Sequence, residues 1–393
     1  MRRTRKVICL SEPPAVHAPS RRILTLNYEY PPLGGGSSPV TAAICRELAA
    51  AGSDVDVVTM ACRDLPRVER DGRVRIMRIP CLRSRLHICY PHELASYVVS
   101  AYFAARALLR QRRYDLVHAH FFFPSGVVAY LLHRTEGVPY AVTAHGSDVP
   151  GYNPDRFTWL HRVLRPLWRA VLGRSSGVSS PTQSLAELIR DSGSPPEPVA
   201  IIPNGIAADW AVPGDKEPMV LVAGRLFRRK GVQHVLQAIR RRPTSWEVHV
   251  VGDGPYRQAL EAMVPDRTGV TFHGWLGNDT PEYRALYARA SIFVMPSIVE
   301  NFPIVLLEAM VTGCAILATD IPACREILGD AALYAAPGDA DELSVLLHTL
   351  IEDHALRTDL GHRAHQRVLN RFTWDRVGKE YDAWFTDLLQ PDR

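Results

Sequence analysis

Twice along the chain, short runs of Val, Ile, Leu and Ala alternate with segments whose apolar residues recur at helical spacing. In the first half strands are expected at 21–30, 55–60, 73–79, 116–119, 140–143 and 177–179, and helices at 39–51, 91–113, 124–136 and 182–192. In the second half strands are expected at 219–223, 246–251, 270–273, 291–295, 315–318 and 332–335, and helices at 230–241, 255–264, 281–289, 303–312 and 340–352. Uninterrupted apolar strands separated by helices are the pattern of a parallel sheet covered on both faces. The length agrees, because 393 residues exceed the roughly 250–300 at which one hydrophobic core stops growing. The expected fold class is therefore α/β, with two Rossmann-like domains in tandem facing each other across a cleft. The N-terminal domain is expected at 1–205, with 1–20 as a flexible lead, and the C-terminal domain at 206–374. A final amphipathic helix at 375–393 is expected to pack back on the N-terminal domain. Ligands of such sheets sit beyond the carboxyl ends of the strands, so the loops there carry the function.

Composition narrows the classes. Apolar residues make up 47% and charged residues 22%, an ordinary soluble globular balance. No run reaches the roughly 18 apolar residues that a membrane span needs. The N-terminus opens like a signal peptide, Met1-Arg-Arg-Thr-Arg-Lys, but its apolar run at 7–10 is broken by Ser11-Glu12-Pro13-Pro14, so a cytoplasmic protein is expected. Seven cysteines (9, 45, 62, 81, 89, 314, 324) form no C-x-x-C pair, which favours free thiols over disulfides or zinc. Residues 1–200 hold 26 Lys+Arg against 16 Asp+Glu, whereas 201–393 hold 20 against 25. The excess concentrates at 63–113, with twelve arginines against four acids, and suggests a surface that meets something anionic. Within that span helix 91–113 carries an apolar stripe, from Leu94 and Tyr97 to Leu108 and Leu109, and closes with Arg110, Arg112 and Arg113. Such a helix either packs on its sheet or lies on anionic lipid. Nucleic acid is not expected, since no stacking aromatics interleave the arginines on a recognisable binding module.

Two loops of the second half carry chemistry. Gly224-Arg-Leu-Phe-Arg-Arg-Lys-Gly231 follows a strand and precedes a helix. Arg225 can fork across two phosphate oxygens and Lys230 offers a mobile point charge; a helix N-terminus adds free N–H groups. The plainer reading is a solvated basic loop, but Lys230 is one of only four lysines in a chain with 42 arginines. The second loop runs Pro296-Ser-Ile-Val-Glu-Asn-Phe-Pro-Ile-Val-Leu-Leu-Glu308. Pro303 suits the first turn of a helix, Glu300 lies at its mouth, and Glu308 lies among apolar residues within it. A carboxylate there needs a partner; a ribose diol would serve, and so would a nearby Arg or backbone group.

These segments resemble the retaining, GT-B-fold glycosyltransferases of family 4, over nearly the whole chain. The resemblance rests on the E-x7-E spacing of Glu300 and Glu308 and on the G-R-L-x-x-x-K-G loop. It is supported by Pro32-Leu-Gly-Gly35, His118-Ala-His120, Thr143-Ala-His-Gly-Ser-Asp148, Ile202-Pro-Asn-Gly205 and Val251-Gly-Asp-Gly-Pro255. It implies that Arg225, Lys230, Glu300 and His145 serve catalysis. Arg225 and Lys230 would bind the donor diphosphate, Glu308 the ribose hydroxyls, and Glu300 would face the transferred sugar. His145 would touch the sugar's outer hydroxyls. Backbone at Gly224, Asn301, Phe302, Pro303 and Ile304 would complete the donor site, and Gly34, Gly35 and Gly36 would let the N-terminal domain approach the diphosphate. His120, Asp148, Asn204 and Gly252 would line the cleft. The implied reaction moves a sugar from a UDP- or GDP-sugar to a hydroxyl of a lipid-linked or polysaccharide intermediate, with the nucleotide-sugar as co-substrate, no cofactor and no metal. An anionic membrane surface is a further expected partner. Two departures stand out: Asn301 replaces a glycine common in the family, and Ala207 follows Asn204-Gly-Ile206 where an acid is usual, with Asp209 two residues on as an acid that either substitutes or does not.

Other readings compete. A GT-B phosphorylase or nucleotide-sugar epimerase shares the scaffold, and a non-catalytic sugar-nucleotide-binding protein would keep the same pocket. A dinucleotide oxidoreductase would need G-x-G-x-x-G, which neither Gly34-Gly-Gly36 nor Gly252-Asp-Gly254 completes. His118, His120 and His145 sit on two strand ends without acidic companions, so they are read as pocket lining rather than metal ligands. Asp54-Val-Asp56, a formal D-x-D match, begins a strand and is assigned no role.

Overall fold

The computed structural model describes residues 21–86, 89–152, 158–212, 214–264 and 269–390; the lead expected at 1–20 lies outside them. The first sheet is built in the order β1 (Arg22–Leu26), α1 (Ser37–Ala50), β2 (Asp54–Met60), β3 (Val68–Asp71), β4 (Val74–Ile79), α2 (Pro91–Gln111), β5 (Leu116–His120), α3 (Val127–Glu136), β6 (Tyr140–Thr143), α4 (Thr158–Arg174), β7 (Gly177–Ser180), α5 (Gln183–Ser192) and β8 (Ala200–Ile201). The second follows as β9 (Glu217–Ala223), α6 (Val232–Arg241), β10 (Glu247–Val251), α7 (Arg257–Glu261), β11 (Val270–Gly274), α8 (Pro281–Arg289), β12 (Ala290–Met295), α9 (Ile304–Val311), β13 (Ala315–Thr319), α10 (Pro322–Leu328), β14 (Leu333–Ala335), α11 (Ala340–Glu352), α12 (His354–Arg371) and α13 (Trp374–Leu388).

The strand orders are β3-β4-β2-β1-β5-β6-β7-β8 and β11-β10-β9-β12-β13-β14. All pairings are parallel except the β3–β4 hairpin. The strands next to the centre are buried on both faces: Ile23, Leu24 and Leu26 of β1 and Ile292, Phe293 and Val294 of β12 have no exposure. That burial is why they read as unbroken apolar runs. The two sheets are thus Rossmann-like layers with helices on both faces.

The chain crosses between the sheets twice, side by side. Ile206 N–H donates to Phe372 O (2.7 Å), and Trp374 N–H donates to Ile206 O (3.2 Å). Gly205 has no room for a side chain, since a Cβ would stand 2.8 Å from the Trp374 ring. After this crossing α13 packs on α1, where a Cβ on Gly378 would overlap the Glu47 side chain. Tyr381 and Phe385 are buried in the core that contains Ile23 and Val40.

Helix α2 settles the choice left open by its sequence. Tyr97, Ala101 and Ala105 have no exposure, and Tyr97 Oη donates to Val58 O at 2.9 Å. The stripe proposed for lipid is core. Much of the basic excess is likewise engaged internally. Arg75 forks onto Asp56 (2.8 and 2.9 Å), Arg112 joins the same carboxylate, and Arg78 pairs with Glu69. Arg83 is buried and donates to the carbonyls of Tyr28, Arg85 and Leu86. Asp56 is therefore the centre of a structural ion cluster. The six described cysteines are free thiols.

Candidate active site

Open parallel sheets bind ligands where the strand order reverses, because loops from adjacent strands there diverge to opposite sides and leave a crevice. In the first sheet the reversal lies between β1 and β5, in the second between β9 and β12. Most of the expected residues lie on these loops or the next ones, while Glu308 is within α9 and Asn204 follows β8.

On the second sheet, the loops after β9 and β12 are joined. Ile298 N–H donates to Arg229 O at 3.0 Å. Gly231, at φ +73°, lies so close to Pro296 that a Cβ would stand 1.9 Å from its carbonyl oxygen. Gly231 is obligatory for contact as well as for backbone angle. This stitching brings Lys230 Nζ onto Glu300 Oε1 as an ion pair. Arg225 stands on the exposed rim, its guanidinium 5.8 Å from the Phe227 ring centroid, and among the described residues it makes no ion pair. Gly252, expected at the cleft wall, is instead buried beneath the loop: its Cβ would meet Gly224 O at 1.9 Å. Its role is to let the Gly224 turn, at φ +148°, lie directly on it.

Glu308 is buried, and its hydrogen-bond donor is a tyrosine hydroxyl, with Arg284 near enough to act on its charge. Tyr283 Oη donates to Glu308 Oε2 at 2.7 Å, and the Tyr287 hydroxyl lies 3.0 Å from that of Tyr283. The partner is therefore a tyrosine hydroxyl, which was not among the partners expected for this carboxylate. Pro303 is the N-cap of α9 rather than its first residue. It has no side-chain oxygen with which to cap, and the first turn carries no acid, so the amides of that turn keep their positive character. Phe302 turns its ring to Phe372 (5.8 Å) and offers only backbone.

On the first sheet, Gly34, Gly35 and Gly36 lead into α1. Gly35 and Gly36 have open space where a side chain would be, but Gly35 N–H already donates to Glu29 Oε2 at 3.2 Å, as does Ser37 Oγ at 3.1 Å. His145 follows β6; its ring lies 4.5 Å from that of Phe121. Asp148 borders the cleft, yet its carboxylate turns inward to accept from Phe122 N–H (2.9 Å) and His145 N–H (3.1 Å). It shapes the loop instead of facing a ligand. His120, expected to line the cleft, has no exposure and lies behind His145. Asn204 lies in the linker and is 9% exposed, and Asp209 is exposed beside Trp210. Among the described residues no group of three His, Cys, Asp or Glu is placed to hold a metal ion.

The two halves meet across the cleft. Thr182 Oγ1 donates to Asn301 Oδ1 at 2.9 Å, and a Cβ on Gly146 would lie 3.3 Å from that of Asn301. Glu326 caps the N-terminus of α5, accepting from Gln183 N–H (2.7 Å) and Ser184 N–H (3.0 Å). Asn301 thus has a definite use: its amide is an interdomain contact that glycine could not make.

Residues 35–205 match the glycosyl transferase 4-like domain family, and residues 210–367 match the glycosyl transferases group 1 family. A 2-deoxystreptamine glucosyltransferase of Streptomyces kanamyceticus is 30% identical over 348 residues, covering 79% of this chain and 88% of that protein. The chain belongs to the family 4 glycosyltransferases of GT-B fold. An uncharacterised glycosyltransferase of Methanocaldococcus jannaschii is 26% identical and spans 91% of this chain and 96% of its own length. Among solved structures, sucrose-phosphate synthase from Thermosynechococcus elongatus superposes with a TM-score of 0.81 at 24% identity, covering 94% and 99% of the two chains. The lipopolysaccharide glycosyltransferase WaaG gives 0.70 at 21%, covering 92% and 99%.

In this glycosyltransferase burial governs the charge states of the site. It pushes Glu308 up to about 7, opposed by the Tyr283 and Tyr287 hydroxyls and by Arg284. It raises Asp148 to about 6 against the pull of its amide donors, and lowers His145 to about 3. Tyr283, Tyr287, Glu29 and Thr182 are site residues that sequence reading missed. The tyrosines sit at i and i+4 on α8, a spacing that places both on one face, and that signal was legible.

Proposed function

We propose that this enzyme is a retaining, metal-independent glycosyltransferase that moves a sugar from a UDP- or GDP-sugar to a hydroxyl acceptor. The observation that carries this reading is the joined pair of loops at the second switch point. They join Lys230 to Glu300 in the loop that leads into the uncapped end of α9, with Arg225 exposed on the partner loop after β9. That is a concentration of positive charge with one carboxylate, suited to a diphosphate and the sugar attached to it. In the reaction the acceptor oxygen bonds to the anomeric carbon on the face from which the phosphate leaves. The carbon–oxygen bond to the β-phosphate breaks with its electron pair on phosphate, and the acceptor proton passes to that departing oxygen. Arg225, Lys230 and the α9 amides stabilise the developing charge, the kind of electrostatic contribution that dominates many enzymes. Glu300 steers Lys230 and faces the sugar; Glu308 receives a ribose hydroxyl on its remaining oxygen.

The acceptor side is apolar. A cleft of about 200 Å³ next to His145 is lined by Tyr28, Leu94, Phe121, Leu164, Leu167 and Trp168, among others. Such walls fit the non-sugar part of a lipid-linked or otherwise apolar acceptor better than a free glycan. For a membrane partner, the exposed face of α2 replaces the buried stripe: Val99 and Phe103 are 59% and 63% exposed, and Arg110 shares that face by helical spacing. No described helix is long and apolar enough to cross a membrane. The test is release of UDP or GDP from their sugars in the presence of acceptor. Turnover should fall by orders of magnitude in Arg225→Ala and Lys230→Ala; near-wild-type turnover would remove the clamp. An epimerase would instead release nucleotide or convert the sugar without acceptor, and a phosphorylase would form sugar phosphate from a glycan and inorganic phosphate with no nucleotide released.

A further inference from the structure

His145 reaches the cleft from the end of β6, and its Nε2 lies 3.0 Å from Nδ1 of His120. The two rings stack with centroids 5.3 Å apart. One of the two nitrogens must carry the shared proton, and the alternatives leave His120 in different states. If His145 donates, a neutral His120 carries its own proton on Nε2. That nitrogen is sealed from solvent and meets no hydrogen-bond partner among the described residues, so the result would be a buried N–H with nothing to accept it. If His120 donates, its Nε2 keeps only a lone pair, and an orphaned acceptor is better tolerated than an orphaned N–H. His118 does not alter this choice. Its ring lies 4.3 Å from that of His120, but its Nε2 is 2.8 Å from Thr143 Oγ1 and its Nδ1 is also buried without a partner. The same reasoning puts the His118 proton on Nε2, toward Thr143.

We infer that His120 is a positioning residue: its Nδ1–H donates to His145 Nε2 and so holds His145 as the Nδ1–H tautomer. The half-buried His145 then offers the cleft a hydrogen-bond donor, not an acceptor, at its remaining nitrogen. A sugar bound there is read through a hydroxyl oxygen accepting from Nδ1–H, a statement that rests on the donor-site reading above. Burial holds His145 near 3 and His120 well below its ordinary value, His118 and His145 adding to the latter. Both rings are neutral at physiological pH, and tautomer choice is the only protonation variable left to them.

The test is a long-range 1H–15N correlation spectrum of the ligand-free full chain labelled with 15N-histidine, with His145 assigned by its loss in His145→Gln. The wild type should show His145 protonated at Nδ1 and bare at Nε2. His120→Leu should shift His145 toward Nε2–H, and His120→Asn, whose amide can still donate from about the same position, should restore the wild-type pattern. A wild-type His145 protonated at Nε2, or an unchanged His145 pattern in His120→Leu, overturns the proposal. Calorimetric titration of the same samples with UDP and with GDP keeps the two readings apart. Binding by neither nucleotide would sink the donor site while leaving the tautomer assignment to be judged by the spectrum alone.

Discussion

At Glu308, the acid at the end of the E-x7-E spacing is enclosed and already accepts a hydrogen bond from Tyr283 on one oxygen. Its pKa is raised to about 7 mainly by burial, above the unfolded value near 4.3. The native state therefore holds the proton more tightly than the unfolded chain, and the stability linked to that proton is present below about pH 4 and is lost as pH rises through 7. Glu308→Gln, which cannot ionise, should gain relative to wild type between pH 5 and 8 by up to about 3 kcal/mol. Denaturant unfolding across that range measures the difference; a gap that stays constant with pH would show that Glu308 ionises freely in the fold. From sequence, the apolar neighbours of Glu308 announced a carboxylate in need of a partner. What they could not announce was the partner, because Tyr283 arrives from α8, 25 residues away in sequence. His120 was similarly legible as part of a cluster but not as the buried member behind His145, since facing direction depends on how β5 and β6 pair. Gly252 misled for a related reason: a glycine in a loop signals close approach without saying whether ligand or backbone approaches.

The elements themselves divide by how wide an apolar face they carry. The central strands and α6 and α9 were plain from periodicity. The helix α12 was missed because its buried face is narrow, Leu360, Gly361, Ala364 and Val368 among mostly polar neighbours. Likewise α4 carries Pro166 inside a run of arginines, and an internal proline argues against a helix. The short β3 was missed as an exposed antiparallel edge with little apolar content. Between elements, the Gly231 contact joins the loops that hold Lys230 and Glu300, and it can be separated from simple backbone strain. Gly137 adopts nearly the same φ, +72°, and a Cβ there would meet nothing within 4 Å, so Gly137→Ala should cost only about 1–2 kcal/mol. Gly231→Ala adds a clash with Pro296 O at 1.9 Å and should lower stability further while weakening nucleotide binding; equal melting temperatures for the two variants would mean that the loops are not locked together.

Across the whole molecule, the two sheets are held by the paired crossing at Ile206 and Phe372, by α13 on α1, and by two contacts over the cleft itself. Those two, Thr182 with Asn301 and Glu326 with the start of α5, hold the facing halves together next to Glu300. Glu326→Ala removes two charge-assisted bonds, each worth roughly 1.5–3 kcal/mol. It should open the ligand-free molecule, increasing the radius of gyration by small-angle scattering, and nucleotide should bring it back. An unchanged radius would assign the closed arrangement to the crossing and to α13 alone. The tandem architecture was readable because each half repeats the same alternation. The contacts that hold the halves together were not, since residues such as Gln183 and Glu326 carry no local signal of a partner 143 positions away.

The claim on which the rest depends is that Arg225 and Lys230 clamp a nucleotide diphosphate. Thermal unfolding in the presence of UDP, GDP, ADP and dTDP, with the matching monophosphates, tests it most directly. A ligand at about 100 times its Kd stabilises by about 2.7 kcal/mol, which for domains of this size is a shift on the order of 5–10 °C. At least one diphosphate should produce such a shift in the wild type, its monophosphate much less, and Arg225→Ala/Lys230→Ala should abolish it. A full shift retained in the double variant would contradict the account.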